Sequence, residues 1–253
     1  MEKNVNHAED WDFYFSNVNS IIGSFFVDLG LIKIAPVTDK PKVLCVSIIM
    51  QNPREDGLSS KEESEQLYVI EDNIINDITN EHNSIYAGRL TSNGKRELYF
   101  YFDGSGDYEK TIINTMSKFP TYQFSHDIKE DKEWGTYLDF LYPLPNQYQM
   151  IMNARVIRNL EQNGDNLLKE RMVDHFIYFD AENDMQNYIE EVKKQNFEVI
   201  DIHQNDDNIH VLHIGRIDKV NSESVNNYTL YLWETAKKYN GQYDGWGCPV
   251  EKE

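Results

Sequence analysis

The chain has 253 residues, of which 40% are hydrophobic and 13% aromatic, so it carries enough apolar material for one large or two ordinary folded domains. Its 24 Lys and Arg residues face 43 Asp and Glu residues, and the net charge of -19 repels phosphate backbones and favours basic partners, unless it serves solubility alone. No apolar run approaches the roughly 20 residues that cross a bilayer, the N-terminus lacks the apolar core of a signal peptide, and two cysteines give no disulfide framework, so we expect a cytoplasmic protein.

The first half of the chain alternates between aromatic strands and helices with an apolar stripe. Ser60 precedes Glu63 by three residues, the pattern of a capping box, and opens a helix. The apolar residues of that helix recur at helical spacing: Leu67, Ile70, Ile74 and Ile78. A second helix follows Gly106, and strands are predicted at residues 11–16, 24–34, 42–50, 84–91, 96–103 and 121–129. From residue 42 the order is β-α-β-β-α-β, the ferredoxin-like unit, with two strands added in front.

The second half repeats this order of elements. Pro143 and Pro145 interrupt the pattern and predict a boundary, with one domain at residues 1–143 and another at 144–253. Helices are predicted at residues 146–168, 184–195 and 222–239, and strands at 173–180, 197–202, 209–217 and 243–250. The predicted fold class is α+β, with two ferredoxin-like domains that have antiparallel sheets, the first with extra N-terminal strands.

The sequence contains no arrangement of residues that predicts a catalytic site or a metal site. Ser125-His126-Asp127 has the residue types of a triad, but adjacent residues of a strand point to opposite faces and cannot form a relay. His210 and His213 lie three apart on a strand and also face opposite sides, so a shared metal ion is not expected. We therefore predict no catalytic residue, no metal site and no cofactor.

Direct binding of nucleic acid is also disfavoured. The ferredoxin-like unit is the scaffold of RNA-binding domains that carry glycine and aromatic residues on the third strand. Here that strand is IHVLHIGRI in the second domain, which has no aromatic residue. In the first domain it is RELYFYFD, which is aromatic but lacks the glycines. Together with the negative charge, this predicts that neither domain binds RNA directly.

The C-terminal hundred residues resemble the RraB family, whose members are protein regulators of the endoribonuclease ribonuclease E. The specific part is YDGWG at residues 243–247, which follows a helix that ends in WETAKKY. The supporting pattern is the helix at residues 184–197 and a leading helix at 155–170 that contains Asn163-Gly164-Asp165. This resemblance implies a regulator that acts by binding another protein.

Residues 11–142 resemble the bacterial family called domain of unknown function 695. The matching features are WDFY at residues 11–14, the Asp56-Gly57-Leu58 loop before two glutamates, and GRLT at residues 88–91 ahead of Arg96. No activity is established for that family, so this resemblance implies architecture alone.

The two resemblances imply a non-catalytic, acidic regulatory protein that binds a protein partner, a ribonuclease or a basic segment of one. Two alternatives stay open: an enzyme with a site between the two domains, or an interaction module unrelated to RNA turnover. A membrane or nucleic-acid partner is not expected.

We expect the C-terminal domain to carry partner binding. The expected residues are Tyr243, Asp244 and Trp246, with the acidic turn of Asp206 and Asp207 attracting a basic segment. Trp246 either anchors the partner or closes the core beneath the last helix, since tryptophan serves both purposes.

Overall fold

The computed structural model describes residues 7–252, and the chain divides into two compact units, Met1–Pro143 and Leu144–Glu253. Each unit is an antiparallel sheet with helices between its strands, so the α+β fold class predicted from the sequence is confirmed. None of the helices in residues 7–252 is long and apolar enough to cross a membrane.

The first unit has six strands in the order β1-β2-β4-β5-β3-β6, all paired antiparallel. The strands are β1 (Trp11–Val18), β2 (Ile21–Asp28), β3 (Lys42–Ile49), β4 (Ser84–Ser92), β5 (Lys95–Phe102) and β6 (Phe124–Glu130). The helices are α1 (Lys61–Glu81) and α2 (Tyr108–Met116). Strands β3 to β6 with these helices form the ferredoxin-like unit, and β2 and β1 extend its sheet beyond β4.

Helix α1 forms where the apolar stripe predicts it. The four stripe residues, Leu67, Ile70, Ile74 and Ile78, have no exposed surface. Ser60 caps the helix by accepting a hydrogen bond from the backbone of Glu63. The capping interpretation of the Glu63 side chain is wrong, because its carboxylate is buried and accepts from the backbone N–H groups of Gln51 and Asn52 instead. Glu63 therefore fixes the loop after β3.

Two predicted elements contain a glycine near which the sequence predicts a break. The strand predicted at residues 24–34, with its break near Gly30, ends at Asp28, whose side chain accepts from the backbone of Gly30 and starts a 3-10 helix, Leu29–Lys33. The helix predicted at residues 146–168, with its break near Gly164, ends at Gln162, and Gly164 follows with a φ of 76°. A positive φ suits glycine and ends the helix there.

The second unit is a four-stranded sheet in the order β10-β7-β9-β8, again antiparallel throughout. Its strands are β7 (Arg171–Phe179), β8 (Glu198–Gln204), β9 (His210–Asp218) and β10 (Gly241–Gly247). Its helices are α3 (Pro145–Gln162), α4 (Glu182–Lys193) and α5 (Ser222–Lys238). One face of this sheet packs on the helices to form a core that includes Val173, Ile177, Tyr188, Val192, Val225 and Leu232.

Candidate functional site

The opposite face of the second sheet has no helix of the second unit on it within the described residues, and we call it the open sheet face. In β7, the residues that point to the helices are buried, whereas Met172, Asp174, Phe176 and Tyr178 point the other way and are at least partly exposed. The strand register places residues 211, 213, 215 and 217 of β9 on the same face. This face is the largest part of the second sheet that the fold leaves available to a partner.

One end of the open sheet face is apolar. Ile217 is 63% exposed, Ile200 45% and Met172 39%. Gly215 lies among them, and a Cβ atom there would be 2.6 Å from Ile200 Cδ1 and 2.8 Å from Met172 Sδ. The missing side chain therefore lets these two apolar side chains meet above the strand. Exposed apolar groups gathered in this way are typical of an interaction surface.

The rest of this face carries carboxylates. Glu198 and Asp201 lie on the edge strand β8 with His203, Asp244 lies on the edge strand β10, and Asp174 lies on the central strand β7 beside His213 of β9. The four strands contain two basic residues of the Lys and Arg type, and both point away from the face. Arg171 is buried against Asp165, and the Arg216 guanidinium lies over the Phe197 ring. The charge of the open sheet face is thus negative.

The structure separates the five residues that the sequence predicts for partner binding. Asp206 and Asp207 lie exposed in the turn between β8 and β9, whereas Asp244 lies exposed in β10. Strands β8 and β10 are the two opposite edges of the sheet. A shift in the pairing register between Tyr243 and Gly245 places Asp244 in a bulge, where the Tyr178 hydroxyl donates to it at 3.3 Å.

Tyr243 and Trp246 lie on the helix side of the sheet. Tyr243 is 7% exposed, and its hydroxyl is 2.9 Å from Nδ1 of the buried His175, so this side chain belongs to the core and is not a contact residue of the surface. Trp246 is half-buried and packs against the core, with its Nε1 donating to Asn153 Oδ1 in α3 at 3.1 Å. This arrangement favours a role for Trp246 in closing the core beneath the last helix over a role as an anchor for a partner.

Asn153 makes that contact part of a buried network. It is 1% exposed, and its amide nitrogen donates to Asn226 and Thr229 of α5 at 2.9 and 2.6 Å. One side chain therefore joins α3, α5 and β10 by hydrogen bonds. Buried polar groups of this kind hold elements in one arrangement when every member has a partner.

We expect Trp246→Ala to lower the free energy of unfolding of the second unit by about 2 kcal/mol, because the half-buried ring loses packing and a hydrogen bond. Trp246→Phe keeps most of the packing and should cost about 1 kcal/mol. Since the ring points away from the open sheet face, neither change should weaken partner binding. Urea denaturation, monitored by hydrogen exchange of the β7 amides, measures the change in the free energy of unfolding. A binding titration measures the change in affinity for the partner. A loss of affinity with Trp246→Phe at unchanged stability would show that the ring is an anchor.

His175 is a fully buried histidine in the core of the second unit. Burial lowers the pKa of His175 to about 3, with smaller contributions from Arg216 and His213. Its ring packs edge-on against Phe197 and Tyr228. Its Nε2 atom is buried with no hydrogen-bond partner among the described residues. A neutral imidazole in a closed core cannot exchange protons with a substrate, so this group is structural.

The remaining residues considered for catalysis or metal binding lie in β6, on the open sheet face and in β3. Ser125, His126 and Asp127 lie in β6 with alternating exposure, so they do not converge. His213 pairs with Asp174 and His203 with Asp201, each at 2.8 Å. Among residues 7–252, no three His, Cys, Asp or Glu side chains form a group that could hold a metal ion. Burial, followed by the charge of Glu97, raises the pKa of the Cys45 thiol to about 12, which suppresses the thiolate.

Comparison with known protein families finds one matching family model for each half of the chain. The model of a family described as Family of unknown function (DUF695) matches residues 9–142, more than half of the sequence. The chain belongs to the DUF695 family. In this DUF695 protein, a second family model, Regulator of ribonuclease activity B (RraB), matches residues 150–248. Both resemblances seen in the sequence are confirmed, and the second match contains every residue of the open sheet face.

Other comparisons add no function to this DUF695 protein. A search of curated proteins finds no match. One similar solved structure is "Crystal Structure of an Unknown Protein from Galdieria sulphuraria", with 8% identity, 81% of this chain and 96% of that chain covered, and a TM-score of 0.21. Another is "Crystal structure of putative glycine cleavage system transcriptional repressor", with 8% identity, 82% and 98% covered, and a TM-score of 0.23. Neither likeness supports an inference at these scores.

Proposed function

We propose that this protein is a non-catalytic regulator whose second unit binds a basic segment of a ribonuclease, or of its scaffold, through the open sheet face. The RraB match suggests a regulator of ribonuclease activity. The observation that carries the finer proposal is the open sheet face itself, which combines exposed apolar side chains with carboxylates and lies within the matched residues.

The apolar end of the face and the carboxylates beside it correspond to the two parts of a protein interface. An interface core supplies most of the affinity through desolvated apolar contacts, and a charged rim supplies orientation and the rate of encounter. Met172, Ile200 and Ile217 fit the first part, and Asp201 and Asp244 fit the second. A partner segment that alternates Lys or Arg with apolar residues would match both.

The charge argues for a protein partner over direct contact with RNA. Residues 154–253 contain 11 basic and 19 acidic residues, a net charge of -8, and the open sheet face has no Lys or Arg of its own among the four strands. Such a surface repels phosphate groups and attracts basic peptide segments. Restraint of a ribonuclease then follows from occupation of a basic, RNA-binding segment of that enzyme.

We expect the full chain to capture a basic partner from a lysate of its source organism, with recovery that falls as salt rises from about 50 to about 300 mM because surface charges are screened. Ile217→Lys and Asp244→Lys should each lower affinity for that partner by roughly 10-fold or more. Affinity of the purified pair can be measured by surface plasmon resonance.

Matched control variants are available in the same unit. Leu168 is 62% exposed, close to the 63% of Ile217, and Glu234 is an exposed carboxylate of α5. Leu168→Lys and Glu234→Lys make the same chemical changes outside the four strands and should leave affinity unchanged. If the control variants weaken binding as much as Ile217→Lys and Asp244→Lys, the proposed surface is wrong.

A further inference from the structure

The first unit contains a groove that the proposed function does not use. It lies between α1 and the strands that extend the sheet, and its volume is about 690 Å³. Six aromatic rings line it: Trp11, Phe13, Phe15, Phe26, Tyr68 and Tyr86. Sites for small molecules span about 300–1,000 Å³ and are mostly apolar with a few polar groups, so this groove has the size and the lining of such a site.

Several of these rings are arranged as flat walls. The Trp11 ring stacks on Phe26 at 5.0 Å and on Tyr86 at 5.3 Å between ring centroids. Phe15 is 54% exposed and Tyr68 46%, although both are large apolar side chains. Stacked rings beside exposed ones offer faces on which a planar apolar group can pack.

The floor of the groove is formed by a cluster of two arginines and one glutamate, and the exposed Asp72 is a further acidic residue of the lining. Arg89 Nη1 donates to both carboxylate oxygens of Glu71 at 2.8 Å, and Arg96 Nη1 donates to the same carboxylate at 2.9 Å. The Glu71 and Arg96 side chains are 4% and 2% exposed. One carboxylate thus faces two guanidinium groups, which leaves one positive charge without a buried counterion in this cluster.

Arg89 has donors that remain available. All of its recorded hydrogen bonds come from Nη1, so Nε and Nη2 have no hydrogen-bond partner among the described residues. The Arg89 side chain is 13% exposed and lines the groove, and its guanidinium lies 4.8 Å from the Phe26 ring centroid and 5.0 Å from that of Tyr68. A carboxylate, like a phosphate, accepts two parallel hydrogen bonds from one guanidinium edge, and of the two it carries the smaller charge into a protein that is strongly acidic.

We propose that this groove is a binding site for a small aromatic carboxylate, which stacks on the ring walls and accepts hydrogen bonds from Arg89. A cationic ligand would find the Glu71 carboxylate already engaged by both arginines and would face the Arg89 guanidinium at the floor. A neutral aromatic molecule would pack against the aromatic rings of the groove but would leave the Arg89 donors without an acceptor. A polyanion such as RNA would meet only one excess charge in a protein with a net charge of -19.

The test uses three molecules that share one ring system, titrated into the full chain by isothermal calorimetry. We expect 2-naphthylacetate to bind saturably, and 2-naphthylethanol and 2-naphthylethylamine to bind at least roughly 10-fold more weakly, since a hydrogen bond to a charged group is lost. Arg89→Gln should weaken 2-naphthylacetate by roughly 10-fold, and Phe15→Ala should weaken all three ligands.

Two control variants keep these effects interpretable. Arg54→Gln removes an arginine that is outside the groove, and Phe140→Ala removes a ring that is also outside it. Both should bind 2-naphthylacetate like the unchanged protein. Arg89→Gln leaves Glu71 paired with Arg96, so its fold can be verified by circular dichroism before titration.

Three results would overturn the assignment: no saturable binding of 2-naphthylacetate below about 5 mM, equal binding of the amine or the alcohol, or unchanged binding by Arg89→Gln. A peptide that ends in tryptophan with a free carboxylate is the remaining comparison. If that peptide binds more than roughly 10-fold more tightly than 2-naphthylacetate, the site takes the C-terminus of a protein and not a small molecule. The test concerns the first unit alone and is independent of the ribonuclease proposal.

Discussion

Replacing Glu71 by alanine is expected to lower the free energy of unfolding of the first unit by about 3–5 kcal/mol, the cost of leaving buried charges without a partner. The Glu71 carboxylate is the one counterion in the cluster with Arg89 and Arg96, and the Tyr86 hydroxyl also donates to it at 3.1 Å. Without it, two guanidinium groups would repel each other in a buried site. Burial and the neighbouring Arg89 already lower the pKa of Arg96.

The size of this effect can be separated from a general loss of helix stability. Glu65→Ala changes an exposed glutamate of the same helix and should alter stability by less than about 0.5 kcal/mol. Arg89→Gln should cost less than Glu71→Ala, since it leaves one carboxylate paired with one guanidinium. Urea denaturation followed by hydrogen exchange of β4 and β5 gives all three values. Equal costs for Glu71→Ala and Glu65→Ala would show that the cluster contributes nothing.

Acid should destabilise the second unit through His175. The folded pKa of about 3 lies below the ordinary histidine pKa of 6.5, so the unfolded chain takes up this proton first as the pH falls. The contribution of His175 to stability is therefore complete above about pH 6.5 and is lost progressively as the pH falls toward 3. Between about pH 7.5 and pH 4, this group alone should remove about 3 kcal/mol from the free energy of unfolding.

Comparison of His175→Phe with the unchanged protein isolates that contribution from the titration of carboxylates. His175→Phe should lose about 3 kcal/mol less than the unchanged protein between the two pH values, whatever its stability at neutral pH. His203→Phe, a change at an exposed histidine of β8, should retain the full loss. The urea midpoint at each pH, monitored by hydrogen exchange of the β7 amides, measures how much stability each protein loses. Parallel pH profiles for the unchanged protein and His175→Phe would contradict the assignment.

Local sequence signals predicted the elements of this fold well. The stripe from Leu67 to Ile78 specifies α1 because one face of a helix must be apolar to be buried. Asn93 and Gly94 have φ values of 49° and 73°, as a two-residue hairpin with positive φ requires. Gly164 also marks the end of the helix at Gln162, but a glycine alone does not fix which residue is the last of the helix.

The sites could be predicted less well because they depend on contacts between distant residues. Glu71, Arg89 and Arg96 come from α1, β4 and β5, so only the strand register brings them together. The open sheet face was missed for a related reason. Ile217 and Met172 occupy alternating strand positions that could face either side, and the bulge between Val199 and Asp201, which places Ile200 beside Gly215, leaves no signal in the sequence.

The central claim is that the second unit restrains a ribonuclease through its open sheet face. The most direct measurement is the initial rate at which purified ribonuclease E of the source organism, with its scaffold region, cleaves a fluorescent RNA at increasing concentrations of the full chain. We expect a saturable decrease in the cleavage rate. Ile217→Lys should shift this decrease to a roughly 10-fold higher concentration of the full chain, and Leu168→Lys should leave it unchanged. A rate that is unchanged at every concentration, or that the two variants alter alike, would contradict the central claim.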